Sequence, residues 1–155
     1  MKDFGDLGTC DLLALGRRAL ELGARRFDEI ARASDPEDRP LRDLLRKMAL
    51  DAELQAAAVE QQENLIPEES GLSCTPGDGQ RLIESYLTSL TKRLGEGPLY
   101  RDIALFLAES LEEETSRLCR VLAGHAREWR VSQVFSEVAD REQGNFLFLR
   151  EVVLQ

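Results

Sequence analysis

Histidine occurs once in this 155-residue chain and aromatic residues make up 6% of it. A Ser or Cys nucleophile needs an imidazole or similar base beside it, and one His cannot serve residues spread over the whole chain, so no nucleophilic triad is expected. Positive charge is also short: the net charge is −9, and Arg alternates with Glu instead of forming the basic stripe that a nucleic-acid surface requires. No apolar run approaches the roughly 20 residues of a membrane span, so no membrane partner is expected. Met1 to Thr9 is short and acidic, unlike a secretory leader. Thr75-Pro76-Gly77-Asp78-Gly79 lacks the strand, lysine and spacing of a phosphate loop and reads as a turn. Cys10, Cys74 and Cys119 are odd in number, widely spaced and form no C-x-x-C pair, which predicts reduced thiols and a cytoplasmic protein.

Apolar residues make up 43% of the chain, and Leu, Ala, Glu and Arg, all good helix formers, dominate it. The length fits one domain over residues 1–155. Leu13, Leu20, Ala24, Phe27 and Ala31 recur at helical steps and predict a first helix from about Asp11 to Ala33, ended by Ser34-Asp35-Pro36. Pro40 suits the first turn of a second helix, whose inner stripe runs Leu41, Leu44, Leu45, Met48, Ala52, Gln55 and Val59 to about Asn64. Glu68 to Gly79 is a connection, and Gln80 to Leu94 a shorter amphipathic helix. After Pro98 a third long helix runs to about Ala123, and a fourth runs from about Arg127 to the C-terminus. Short links within each pair and a long link between pairs predict an all-α, up-and-down four-helix bundle with a crossover carrying a short extra helix.

The two pairs look like copies. A shift of 91 residues places Leu20, Glu21, Arg26 and Ile30 on Leu111, Glu112, Arg117 and Val121, and a shift of 90 places Leu41, Leu45, Met48 and Ala49 on Val131, Phe135, Val138 and Ala139. Two related hairpins account for such a repeat, since a solenoid needs at least three units. The polar exceptions then stand out. Glu142 and Asn145 interrupt the apolar stripe of the fourth helix, Gln55 interrupts that of the second, and Glu21 and Glu112 flank their own stripes at equivalent places. Carboxylates gathered in a core are costly unless protonated, paired with Arg or bridged by a cation.

In these residues the chain resembles the rubrerythrin-like, ferritin-like di-iron carboxylate family, in which two helices give one Glu each and the other two give a Glu-x-x-His each. Glu21 and Glu112 match the single Glu positions, and Glu142 matches the Glu of the last motif with Asn145 where its His belongs. In the second helix Ala52 and Gln55 replace both members of the motif, with Asp51 and Glu53 beside the vacant place and either able to substitute after a register change. The family's tyrosines fall on Asp28 and Cys119. The resemblance therefore implies a ferritin-like fold with a degenerate metal site.

Two functional readings follow. One is a scaffold that has lost most of the di-iron ligands and works by dimerising or by binding a partner protein; its core polar groups bond one another, Glu142 and Asn145 reaching Gln55 or an arginine such as Arg17 or Arg25. The other is a rubrerythrin-like oxidoreductase in which Glu21, Gln55, Glu112, Glu142 and Asn145 hold iron or manganese at low occupancy. Without imidazole such a site suits a hard ion such as Mn, Mg or Ca better than a di-iron centre. A homodimer is expected from the resemblance and from the spare apolar residues Leu12, Leu147, Val153 and Leu154. His125 is placed in a loop or at a helix end, and Trp129 in the core or a dimer interface.

Overall fold

The computed structural model describes residues 8–65 and 99–154, which form four α-helices and no strand: α1 (Thr9–Ala33), α2 (Arg39–Asn64), α3 (Arg101–His125) and α4 (Trp129–Leu154). The expected connection and the short helix Gln80 to Leu94 lie outside the described residues, as do the side chains of Val153 and Leu154. His125 is the last residue of α3.

Local chemistry fixes the corner between α1 and α2. Ser34 ends α1 in an extended conformation, its hydroxyl donating to the Ile30 carbonyl at 2.6 Å. The Asp38 carboxylate accepts from the Leu41 amide at 3.3 Å, the N-cap bond that satisfies a donor left open in the first turn, and Pro40 occupies a position where no amide is needed. The same carboxylate takes the Arg101 guanidinium at 2.9 Å, and the Leu99 amide donates to the Ala33 carbonyl at 2.8 Å, so α3 starts where α1 ends.

The helix directions follow from these ties. Arg17 near the start of α1 pairs with Glu63 near the end of α2, and Asp51 of α2 meets Arg141 and Asn145 of α4. The helices pack most closely within each pair, α1 against α2 and α3 against α4, and the pairs join chiefly through α1 and α3, which run antiparallel. Leu65 and Leu99 consequently sit at opposite ends of a bundle about 38 Å long, at 1.5 Å per residue over 25 residues of α1.

The core is aliphatic, with Leu13, Leu20, Leu45, Leu122, Leu149 and the ring of Phe135 fully enclosed. Gly16 of α1 permits this closure: a Cβ there would lie 2.2 Å from Cε1 of Phe135.

Three expectations are corrected. Leu12 is 1% exposed and belongs to the core, so it supplies no spare surface; it falls on the side of α1 that faces its neighbours, beside Leu13. Trp129 is 70% exposed, its ring 5.8 Å from the Arg130 guanidinium, and is no core residue, because it precedes the first inward turn of α4 at Val131. Cys10 is disulfide-bonded, while Cys119 is a free, buried thiol. Spacing along a sequence does not disclose whether two cysteines meet in space. No described helix is long and apolar enough to cross a membrane. Alkylation of the unfolded but unreduced protein, followed by peptide mapping, is expected to label Cys119 and leave Cys10 unlabelled until a reductant is added; label on Cys10 before reduction overturns the assignment.

Candidate functional site

The polar exceptions of the sequence converge between α2, α3 and α4. Helical spacing puts Asp51 and Gln55 one turn apart on α2, and Arg141 and Asn145 one turn apart on α4, with Glu142 beside them. Glu112 projects from α3 with 1% exposure, Glu142 is 2% exposed, and Gln55 is also buried.

Asp51 is the hub. Its carboxylate accepts from the Gln55 amide at 2.7 Å, the Asn145 amide at 3.0 Å and Nε of Arg141 at 2.8 Å. Burial alone would raise its pKa, but the hydrogen bonds from Arg141, Asn145 and Gln55 outweigh it and hold the group below its ordinary value, so it is ionised at neutral pH. Gln55 also lies within hydrogen-bonding reach of Glu142 and joins Asp51 to the deeper carboxyls.

Glu112 and Glu142 lie within hydrogen-bonding reach of one another inside the bundle. Burial raises the pKa of both. For Glu112, the interaction with Glu142 and the negative charges of Glu142 and Asp51 push the same way. The bonds from Glu112 and Gln55 and the nearby Arg141 partly offset the rise at Glu142. Two carboxyls this close in a water-poor core share at least one proton at neutral pH. Cys119 lies fully buried within reach of their charge, and burial together with Glu142 and Glu112 raises its pKa; it remains a neutral thiol with no nucleophilic character.

Of the five expected site residues, the structure brings together Gln55, Glu112, Glu142 and Asn145, and engages Glu21 elsewhere. Glu21 is half-buried on α1, its carboxylate 2.9 Å from Arg17 and 3.6 Å from Arg18. The arginine in the network is Arg141, in place of the expected Arg17 or Arg25. Sequence reading placed Asp51 beside a vacant ligand position and passed over Arg141, yet a signal was present: the 90-residue repeat puts Asp51 and Arg141 at equivalent places, an acid and a base on the facing helices of the two hairpins.

The donor set does not fit the family's metal centre. Asp51 is saturated by N–H groups, and both amides must turn their nitrogens toward that anion, which aims their oxygens away from it. Glu112 and Glu142 are turned on each other, and among the described residues no three His, Cys, Asp or Glu side chains are grouped so as to hold an ion. What the arrangement does chemically is confine one proton between two carboxyls and lock α2 to α4 through Asp51.

Compared with known proteins, the chain matches no family model, no curated protein and no solved structure.

Proposed function

We propose that this chain is a ferritin-like bundle whose inner carboxyls are held by a shared proton, an arginine and two amides instead of by metal ions, and that it works as a scaffold binding another protein. One observation carries this reading: Asp51, one of the two acids beside the vacant ligand place of α2, is consumed by Arg141, Asn145 and Gln55. The helix order supports the ferritin-like part, since two antiparallel hairpins with the end of α2 far from the start of α3 call for one crossover. The scaffold part rests on the outer face of α2 and α4, where Leu50, Leu54 and Phe148 are exposed and line a cleft of about 470 Å³. Large exposed apolar side chains grouped in this way mark interaction surfaces.

The alternative, an iron- or manganese-binding oxidoreductase of the rubrerythrin type, draws on one detail: Oε2 of Glu112 and Oε1 of Gln55 are buried acceptors with no hydrogen-bond partner. Elemental analysis of the protein as isolated, and after anaerobic incubation with Fe(II) and with Mn(II), separates the two. The expected result is no stoichiometric metal. One or two equivalents that disappear in Glu142→Ala would overturn the scaffold reading and justify oxidase and peroxidase assays.

A further inference from the structure

Along the solvent face of α2, Lys47, Leu50, Leu54, Ala57 and Gln61 are all exposed. Their spacing alternates between three and four residues, the 3.5-residue repeat of a helix that packs lengthwise against another helix. This seam is separate from the inner stripe of Leu41, Leu45, Met48, Ala52 and Val59, which is buried in the bundle. A helix with one buried stripe has no need of a second. Here the second has two leucines at its centre, 56% and 60% exposed, followed by Ala57 and Ala58, whose small side chains permit close approach.

Charge decides which partner fits. One flank of the seam carries Arg46, Glu53 and Glu60 at seven-residue intervals, all exposed. A second α2 laid parallel would set Lys47 against Lys47 within the seam itself. Laid antiparallel about a two-fold axis between Leu50 and Leu54, it sets Leu50 against Leu54 of the other copy, Lys47 beside Ala57, and Arg46 against Glu60 twice over. On the other flank, half-buried Leu44 meets Ala58, next to the cleft that Leu44, Leu54 and Phe148 line. A sequence whose basic end complements its own acidic end across an apolar centre is self-complementary under two-fold symmetry.

We infer that the partner seated on this face is a second copy of the chain, docked through antiparallel pairing of α2 with α2 about Leu50 and Leu54. This rests on the scaffold reading above and specifies its partner. Glu53 falls close to its own mate near the axis, a like-charge contact that weakens the pair and supplies a test of register.

The experiment is sedimentation equilibrium of the full chain and four variants, with circular dichroism to confirm that each is folded. The wild type is expected at twice the chain mass at tens of micromolar. Leu50→Glu combined with Leu54→Glu is expected to be a folded monomer, the dissociation constant rising by more than roughly a hundredfold, because both side chains are already exposed in the single chain. Arg46→Glu is expected to weaken the dimer roughly tenfold, and Arg46→Glu combined with Glu60→Arg to restore it, while Glu53→Gln tightens it. A monomeric wild type, a dimer indifferent to the leucine changes, or a charge swap that fails to restore affinity overturns the inference. None of these outcomes bears on metal content, so the scaffold reading stands or falls separately on the elemental analysis.

Discussion

Acidification from pH 8 to pH 5 is expected to stabilise this protein, and Glu112→Gln is expected to remove most of the effect. A carboxyl whose folded pKa lies above its unfolded value near 4.5 binds more protons in the folded state, so the folded state loses stability as pH rises through that interval. Glu112 and Glu142 are both raised, chiefly by burial, and Glu114 is raised by burial too. Asp51 acts in the other direction, but its pKa is lowered from 3.8, so the stability it contributes is lost only below the window tested. One proton taken up on folding is worth about 1.4 kcal/mol per pH unit, which for a chain of this size corresponds to a melting shift of roughly 3 °C per unit. The net charge of −9 adds a general repulsion that acid also relieves, so the difference between wild type and variant isolates the buried pair. Thermal melts at pH 5, 6, 7 and 8 measure it. Glu112→Gln, which carries its hydrogen-bond donor without a proton to lose, is expected to melt several degrees above the wild type at pH 8 and to match it near pH 5. Equal slopes for the two proteins would show that Glu112 takes up no proton on folding.

The proton pair was partly legible beforehand, and the repeat shows why only partly. Glu142, Asn145 and Gln55 announced themselves by interrupting apolar stripes, and helical periodicity is rigid enough that such an interruption points inward. Glu21 and Glu112 had equal claims from their equivalent places, yet one is half-buried and the other enclosed. The difference lies one turn upstream. Glu21 follows Arg17 and Arg18, which take its carboxylate on the surface of α1. The matching positions before Glu112 are Ala108 and Glu109, which offer no cation, so Glu112 is left to pair inside with Glu142. Helix existence and order were legible because Ser34, Asp38 and Pro40 act on their own neighbours. The disulfide at Cys10 and the exposure of Trp129 were not, because both depend on what lies nearby in space and not in sequence.

The same asymmetry between hairpins sets the size of the largest core effect expected. Adding one methyl group to α1 is expected to have opposite consequences at two sites seven residues apart. At Gly23 a Cβ meets nothing within 4 Å, so Gly23→Ala should gain about 0.5–1 kcal/mol from helix propensity alone. At Gly16 the same atom would sit 2.2 Å from Cε1 and 2.7 Å from Cζ of Phe135, a ring enclosed on all sides, so Gly16→Ala should lose about 1–3 kcal/mol net of that gain. Chemical denaturation of the two variants measures both signs. The repeat indicates how the loss can be recovered. Its shifts place Gly16 on Leu107 and Phe135 on Leu45, so where α4 sets a large ring against no side chain of α1, α2 and α3 have two leucines in the corresponding places. Gly16→Ala combined with Phe135→Leu moves this contact toward its counterpart, and the double mutant should be more stable than the sum of the two single changes allows by roughly 1 kcal/mol or more. Strict additivity would mean that the ring can move aside without cost, and that the missing side chain at position 16 is not what lets α4 close on α1.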